Sequence, residues 1–297
     1  MLREIRDLGF EYAELSHGTR VALVPGIIEA VEAGEIKIST LHNFCPLPMG
    51  VNHSAPNLYQ FTDERARDRE LAERYTIKTI EFAARLKAPL VVLHCGSIEM
   101  KDYTDRMIGM VGRGERFSAG FESLAREATE KRQKKSEPFV KRMKDGLSKL
   151  LSVAESRGIK LGIENRQGFE ELPIDSDFPE IFRDLDSPSL VYWHDTGHAQ
   201  IKENLGLIDH ALQLGAVQDR LAGFHLHDVQ FPGRDHCAPG TGCINFAALK
   251  PLVKPNHIKV FELSPSLPVE EVRKSVDYLK TILDGMSPAP QSPNKPV

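Results

Sequence analysis

The chain has 297 residues and lacks the sequence features of disulfide-rich, membrane-spanning and secreted proteins. Its four cysteines, Cys45, Cys95, Cys237 and Cys243, lie far apart without a CxxC pair, which excludes a disulfide framework or a zinc knuckle. No apolar run approaches the roughly 20 residues of a membrane-spanning helix. The first ten residues, MLREIRDLGF, are charged and lack the apolar region of a signal peptide. We therefore expect a cytoplasmic location, reduced thiols and no membrane partner.

An excess of positive charge is also missing. The net charge is -4, with 38 basic and 42 acidic side chains. Because nucleic-acid backbones are bound mainly through basic side chains, nucleic acid is not an expected partner. The basic stretch KRQKKSEPFVKRMK, at residues 131–144, is interpreted as the solvated face of a helix.

Apolar runs of strand length alternate with helical patterns along most of the chain. This alternation, with strands apolar on both faces, is typical of a parallel α/β fold. The length suits one α/β barrel. Strands are predicted at residues 12–17, 36–44, 89–96, 160–166, 190–198, 221–228 and 258–265. Helices are predicted at residues 25–33, 63–87, 117–157, 178–185, 201–214, 245–252 and 268–284.

Seven strands are one fewer than a closed (β/α)8 barrel needs. The chain opens on a helical stretch, LREIRDLG, where a first strand should already have passed. Either the protein starts upstream, which we expect, or the barrel has a seam with unpaired strand edges, which would favour a homodimer. We predict a single (β/α)8 TIM-barrel domain over residues 1–284 with its first strand missing or truncated. A disordered tail rich in Pro and Ser is predicted at residues 285–297.

Histidine, aspartate or glutamate ends nearly every predicted strand, most densely in VYWHDTGH at residues 191–198. The carboxyl ends of all strands in a parallel barrel meet at one rim, so these side chains should converge. Carboxylates and imidazoles gathered there suit a divalent metal, whereas crowded carboxylates without a cation would repel one another. The residues are His42, His94, Glu164, Asp195, His198, His225, His227, Asp228 and Glu262, with His236 in a loop.

The simplest set of metal ligands is Glu164, Asp195, Glu262 and one histidine. His225 and His227 are two residues apart and face the same side of a strand, so alternation does not choose between them. Three carboxylates and one imidazole suit Mn²⁺, Mg²⁺ or Co²⁺ better than a structural zinc, with Zn²⁺ as an alternative.

The motifs GIEN, HDTGH, HLHD with DHCAPGTGCINF, and FELSP resemble the xylose isomerase-like TIM barrel superfamily. That superfamily includes sugar phosphate isomerases and epimerases, tagatose and psicose epimerases, inosose dehydratases and type IV apurinic endonucleases. The resemblance covers nearly the whole chain and implies a (β/α)8 barrel with metal at its carboxyl rim. It implies that Glu164, Asp195, His225 and Glu262 are the ligands, with His227 in a variable position.

The resemblance also implies residues that bind substrate or further metal. It likens Glu170 to a glutamate that contacts substrate in epimerases, with Glu171 as a competitor. His198 resembles a residue that contacts substrate in epimerases and binds a second metal in the endonucleases. The predicted substrate-binding residues are His42, His94, Glu170, His198 and His236, with Arg166 added as a candidate for an anionic group. The predicted extra metal ligands are His94, His198, His227 and His236.

The endonuclease branch fits less well. Arg234 stands where the loop of that branch has aspartate, His227 where it has asparagine and Gly197 where it has cysteine. The net charge of -4 also suits a DNA-binding surface poorly.

We therefore expect a divalent-metal-dependent isomerase or epimerase whose partner is a small sugar or sugar phosphate. Proton transfer would pass through a metal-stabilised enediolate, with Glu164 and Glu262 as catalytic base and acid. The alternatives are a dehydratase-type lyase acting on a sugar or inosose, and a metal-dependent apurinic endonuclease or phosphodiesterase.

Overall fold

The computed structural model describes residues 1–284, in which parallel strands form a nearly closed barrel surrounded by helices. The strands are β1 (Tyr12–Leu15), β2 (Lys37–His42), β3 (Leu90–Leu93), β4 (Gly96–Ser97), β5 (Lys160–Glu164), β6 (Glu171–Leu172), β7 (Leu190–Asp195), β8 (Leu221–Leu226), β9 (Asp228–Gln230), β10 (Arg234–Cys237) and β11 (Ile258–Phe261). The helices are α1 (Leu2–Asp7), α2 (Val24–Glu32), α3 (Ala66–Leu86), α4 (Thr104–Gly112), α5 (Ala119–Ser156), α6 (Phe178–Leu185), α7 (Thr196–Leu205), α8 (His210–Ala216), α9 (Phe246–Leu249) and α10 (Val269–Leu279). A π-helical turn, Lys280–Asp284, follows α10.

The barrel sheet has seven parallel strands in the order β1-β2-β3-β5-β7-β8-β11. Each of the seven predicted strands supplies one of them, which confirms the α/β barrel. Two antiparallel pairs, β4 with β6 and β9 with β10, lie outside this sheet. The predicted tail at residues 285–297 lies outside the described residues.

Among the described residues, β1 and β11 are the two edges of the barrel sheet. A cleft of about 1890 Å³ is lined by residues of both edge strands and of α1 and α10. The expected absence of one barrel strand therefore corresponds to an open seam between β11 and β1. That the protein starts upstream stays a prediction.

The boundaries predicted around residues 190–214 are wrong in two places. The predicted strand 190–198 ends at Asp195, because the Asp195 carboxylate accepts from the backbone N–H of His198 and begins α7. The predicted helix 201–214 is two helices. Gly206, in the left-handed conformation with φ 69°, ends α7. The Asp209 carboxylate then accepts from Leu212 N–H and begins α8.

A small apolar cluster lies beneath the carboxyl rim. Its buried members Leu90, Val92, Val191 and Trp193 come from β3 and β7 and pack with partly buried side chains of β8 and β11. The Trp193 ring lies edge-on to the imidazole of His225, with ring centroids 5.2 Å apart. Trp193 therefore forms part of the floor on which the rim residues rest.

Within residues 1–284, no helix has both the length and the apolar character needed to cross a bilayer.

Gly223 on β8 is packed too closely against neighbouring strands for any side chain larger than hydrogen. A Cβ there would lie 2.4 Å from the Trp193 ring and 2.6 Å from the Ile258 carbonyl oxygen. We predict that Gly223→Ala lowers the free energy of unfolding by about 1–3 kcal/mol, measured by chemical denaturation. Gly26→Ala, in α2, is the control, because no atom lies within 4 Å of its Cβ. Equal stability of the two variants would contradict this packing.

Candidate active site

The carboxyl ends of four strands bring one imidazole and three carboxylates together. Glu164 ends β5, Asp195 ends β7, His225 lies one residue before the end of β8, and Glu262 follows β11. Asp195 and His225 are register partners across β7 and β8. One ligand atom from each of the four lies within 4.8 Å of the others.

His225 is at the centre of this group. Its Nδ1 lies 2.6 Å from Glu164 Oε1, 3.1 Å from Glu262 Oε2 and 3.9 Å from Asp195 Oδ2. The side chains of Glu164, Asp195 and His225 are at most 1% exposed, whereas that of Glu262 is 27% exposed. Glu262 is therefore the member of the group most accessible to a molecule entering the barrel mouth.

Glu14, on β1, fixes the orientation of the His225 ring. The second nitrogen, Nε2, lies 3.0 Å from Glu14 Oε1, and Glu14 Oε2 accepts from the Thr40 hydroxyl at 2.6 Å. A carboxylate on the far nitrogen of a metal-binding histidine is a common supporting contact, because it holds the ring and raises its basicity. Nδ1 of His225 is therefore the nitrogen presented to the three rim carboxylates.

The carboxylates strongly favour positive charge in their midst. Burial opposes a charged His225, but Glu262, Glu14 and Glu164 outweigh it and hold the pKa of His225 well above its usual value. Burial raises the pKa of Glu262. Burial also opposes ionisation of Glu164, yet Arg166 and the neighbouring imidazoles hold the pKa of Glu164 well below its usual value.

This donor set fits a divalent cation. Three carboxylates and one imidazole converge from buried positions, and hard oxygen donors with a single nitrogen suit Mn²⁺, Mg²⁺ or Co²⁺. The carboxylates that attract a proton to His225 would also attract a divalent cation, which would take the place of that proton. That Glu164, Asp195, His225 and Glu262 are metal ligands stays a prediction.

Asp195 is held by contacts on both sides. His227 Nε2 lies 3.0 Å from each carboxylate oxygen, and the Asp195 carboxylate raises the pKa of His227 against the opposing effect of burial. Gly197 makes this approach possible, since a Cβ there would lie 2.0 Å from the His227 ring. The Asn165 side chain donates to the Asp195 carbonyl at 3.0 Å and accepts from its N–H at 2.6 Å.

A second cluster adjoins the first through Glu164. Ligand atoms of His42, His94 and Glu164 lie within 4.8 Å of one another. The guanidinium of Arg166 reaches the same place, because its Nη1 donates to Glu164 Oε2 at 2.5 Å and to His94 Nε2 at 2.7 Å. Arg166 is 8% exposed and also donates to Glu171 at 3.0 Å. Arg166 is thus paired with two carboxylates of its own chain.

A third cluster contains His227, His236 and Glu262. Both nitrogens of His227 are engaged, since Nδ1 accepts from the His236 N–H at 2.9 Å and Nε2 faces Asp195. His236 Nδ1 donates to the Glu262 carbonyl at 2.9 Å. His227 and His236 therefore brace the Asp195 and Glu262 sides of the site, and their predicted role as extra ligands stays a prediction.

The remaining predicted residues are His198, in the first turn of α7, and Glu170, on the loop between β5 and β6. His198 Nδ1 donates to the Asn165 carbonyl at 3.0 Å, and the ring is 3.6 Å from Asp195 Oδ1. Glu170 accepts from the backbone N–H groups of Tyr103 and Thr104, at 2.6 and 3.2 Å, where α4 begins. Glu170 thus anchors a helix over the mouth; its role in substrate binding, like that of His198, stays a prediction.

Sequence reasoning missed Glu14 and His17. His17 ends the predicted strand 12–17, so the rule that selected the other strand-end residues would have selected it too, whereas Glu14 lies inside that predicted strand. His17 packs edge-on against His42 with ring centroids 4.7 Å apart, and burial lowers its pKa to about 4. The contacts of Asn57 with His94 and of Asn165 with Asp195 carry no pattern in the sequence, because they depend on how separate loops meet.

Comparisons with known proteins agree with this architecture. A family model described as xylose isomerase-like TIM barrel matches residues 2–282. An uncharacterized protein of Methanocaldococcus jannaschii is 26% identical over 283 residues, which is 94% of this chain and 91% of that protein. A D-tagatose 3-epimerase-like protein superposes with a TM-score of 0.66 and 20% identity, covering 95% of this chain and 91% of the other. The 3-keto-D-glucoside 4-epimerase of E. coli gives a TM-score of 0.65 and 16% identity, covering 94% and 92%.

Asn165 provides a test of how the rim is held. We predict that Asn165→Ala lowers the free energy of unfolding by about 1–3 kcal/mol, because it leaves the buried backbone N–H and carbonyl of Asp195 without these partners. Denaturant unfolding of the metal-free protein measures this change. The exposed Asn52→Ala is the control and should change stability by less than about 0.5 kcal/mol. An Asn165 variant as stable as this control would disprove the bracing role.

Proposed function

Because the chain belongs to the xylose isomerase-like TIM barrel family, we propose that it is a divalent-metal-dependent isomerase or epimerase of sugars or sugar phosphates. The convergence of Glu164, Asp195, His225 and Glu262 at the carboxyl rim carries this proposal. The similar folds of a D-tagatose 3-epimerase-like protein and of a 3-keto-D-glucoside 4-epimerase support it.

The four converging residues would hold the ion. A bound divalent cation would supply stabilisation of the negative charge that develops when a proton is removed next to a carbonyl group. The surrounding residues keep this place dry and ordered, since Glu164, Asp195 and His225 are buried and His225 is oriented by Glu14.

Glu164 and Glu262 would carry the proton between them. Both face His225 Nδ1 from different strands, so both border the same small volume. Arg166 keeps Glu164 ionised, which suits a base at its Oε1, whereas burial raises the pKa of Glu262, which suits an acid at its Oε2. His198 lies beside this volume, 3.6 Å from Asp195 Oδ1, and would contact substrate hydroxyls.

Exchange with solvent tests this function. The protein loaded with Mn²⁺ is incubated in D2O with D-fructose, D-tagatose and D-psicose, and the sugars are followed by NMR. We expect deuterium at the carbon next to the carbonyl of at least one sugar and formation of its epimer. Glu262→Gln should lower this rate by about 10²–10⁴-fold, because the proton carrier is lost.

Glu137→Gln, on the exposed surface of α5, is the matched control and should retain full activity. Exchange without epimer but with loss of water would indicate a dehydratase-type lyase that uses the same residues. Cleavage of an abasic-site duplex would indicate the endonuclease alternative. An unchanged rate in Glu262→Gln would remove Glu262 from the mechanism.

The contact between Glu14 and His225 predicts a second effect. Glu14→Gln should weaken Mn²⁺ binding by about 10–100-fold, because an amide holds the His225 ring less firmly and raises its basicity less. Isothermal titration of the metal-free protein measures the change. Glu11→Gln, exposed and just before the same strand, should bind as the unaltered protein does. Equal affinities of the two variants would show that Glu14 does not support the ligand.

A further inference from the structure

The guanidinium of Arg166 occupies a place between side chains that could otherwise bind a second metal ion. His42, His94 and Glu164 bring their ligand atoms within 4.8 Å of one another beside the proposed metal centre. The Nη1 of Arg166 donates to Glu164 Oε2 and to His94 Nε2, so it contacts two of the three ligand atoms directly. The positive charge that these ligands attract is thus already supplied by the chain.

The two histidines are oriented toward this charge by their other nitrogens. His94 Nδ1 donates to the Asn57 side-chain oxygen at 3.0 Å, which leaves the Nε2 lone pair to accept from Arg166. His42 Nδ1 donates to the Asn43 carbonyl at 3.0 Å, and its Nε2 lies 4.0 Å from Glu164 Oε2. Neutral imidazoles with inward lone pairs are what a transition metal would bind.

Arg166 is held in place from outside the cluster. Its Nε donates to Glu171 Oε1 at 3.0 Å, and Glu171 Oε2 accepts from the Gly168 N–H at 2.8 Å. Glu171 belongs to β6, which pairs with β4, and β4 follows His94 closely in the chain. The guanidinium would have to leave a buried carboxylate pair to make room for an ion.

We infer that Arg166 is a built-in cation that blocks the His42–His94–Glu164 cluster and restricts the rim to one metal ion. The inference rests on the proposed function, because it presupposes that Glu164, Asp195, His225 and Glu262 bind metal. A divalent ion and a guanidinium cannot share His94 Nε2, since that nitrogen has a single lone pair, and two cations at Glu164 Oε2 would also repel each other. Arg166 therefore determines how many ions the site holds.

The test counts metal ions. Metal-free protein is titrated with Co²⁺, and bound metal is measured by elemental analysis after gel filtration, with the visible absorption of Co²⁺ as a second signal. The unaltered protein should bind one equivalent. Arg166→Met, which keeps an unbranched chain of similar bulk without the charge, should bind two. Arg166→Met combined with His94→Ala should return to one.

Arg234→Met is the matched control, because Arg234 is an exposed arginine on β10 near the mouth and is not in the cluster. It should bind one equivalent. His94→Ala alone should also bind one, because His94 would hold an ion only in the absence of Arg166. Where Arg166→Met fails to fold, Arg166→Gln is the second uncharged variant; it should bind two equivalents, and one equivalent would overturn the inference.

The failures of the two proposals are distinguishable. No Co²⁺ in the unaltered protein would overturn the proposed metal centre and, with it, this inference. One equivalent in the unaltered protein and in a folded Arg166→Met would overturn the inference alone. Two equivalents in the unaltered protein, falling to one in His94→Ala, would do the same, because the ion would then have displaced Arg166.

Discussion

The carboxylate of Glu164 is the point on which the arrangement of the rim depends. One oxygen faces His225 and the other faces Arg166 and His94, so a single side chain joins two clusters of potential ligands. Its complete burial would favour the neutral acid, and only the cations on both sides keep it charged. Because each oxygen of Glu164 contacts a different cluster, what binds in one cluster affects the position and charge of the carboxylate that the other cluster uses.

Supporting contacts of the rim come from many parts of the chain. Glu14 comes from β1, Asn165 follows β5, and His227 follows β8, yet each acts on a residue of another strand. Such contacts leave the four converging side chains little freedom before any ligand arrives. Preorganisation of this kind lowers the ordering cost of binding a cation and a polar substrate.

Much of the fold could be predicted from the sequence, because each barrel strand is an apolar run and the carboxyl ends of parallel strands share one rim. The grouping of Glu164, Asp195 and Glu262 with one histidine follows from that rule, whereas the choice of His225 over His227 came from the family resemblance. The start of α7 inside the predicted strand was not predicted, because the role of Asp195 as the helix cap depends on the hydrogen bond that its carboxylate accepts from the His198 N–H. The ion pair between Arg166 and Glu171 was not predicted either, because it depends on the β4–β6 pair, which brings Glu171 back toward the barrel.

The seam between β11 and β1 has a consequence for the site. β1 is bonded to β2 on one side only, and it carries the carboxylate that aligns His225. Edge strands with one partner open locally more readily than strands paired on both sides. Local opening of β1, Tyr12–Leu15, would remove the Glu14 contact from the His225 imidazole while the other six strands remained folded. The affinity for a cation would therefore fall before the protein unfolded.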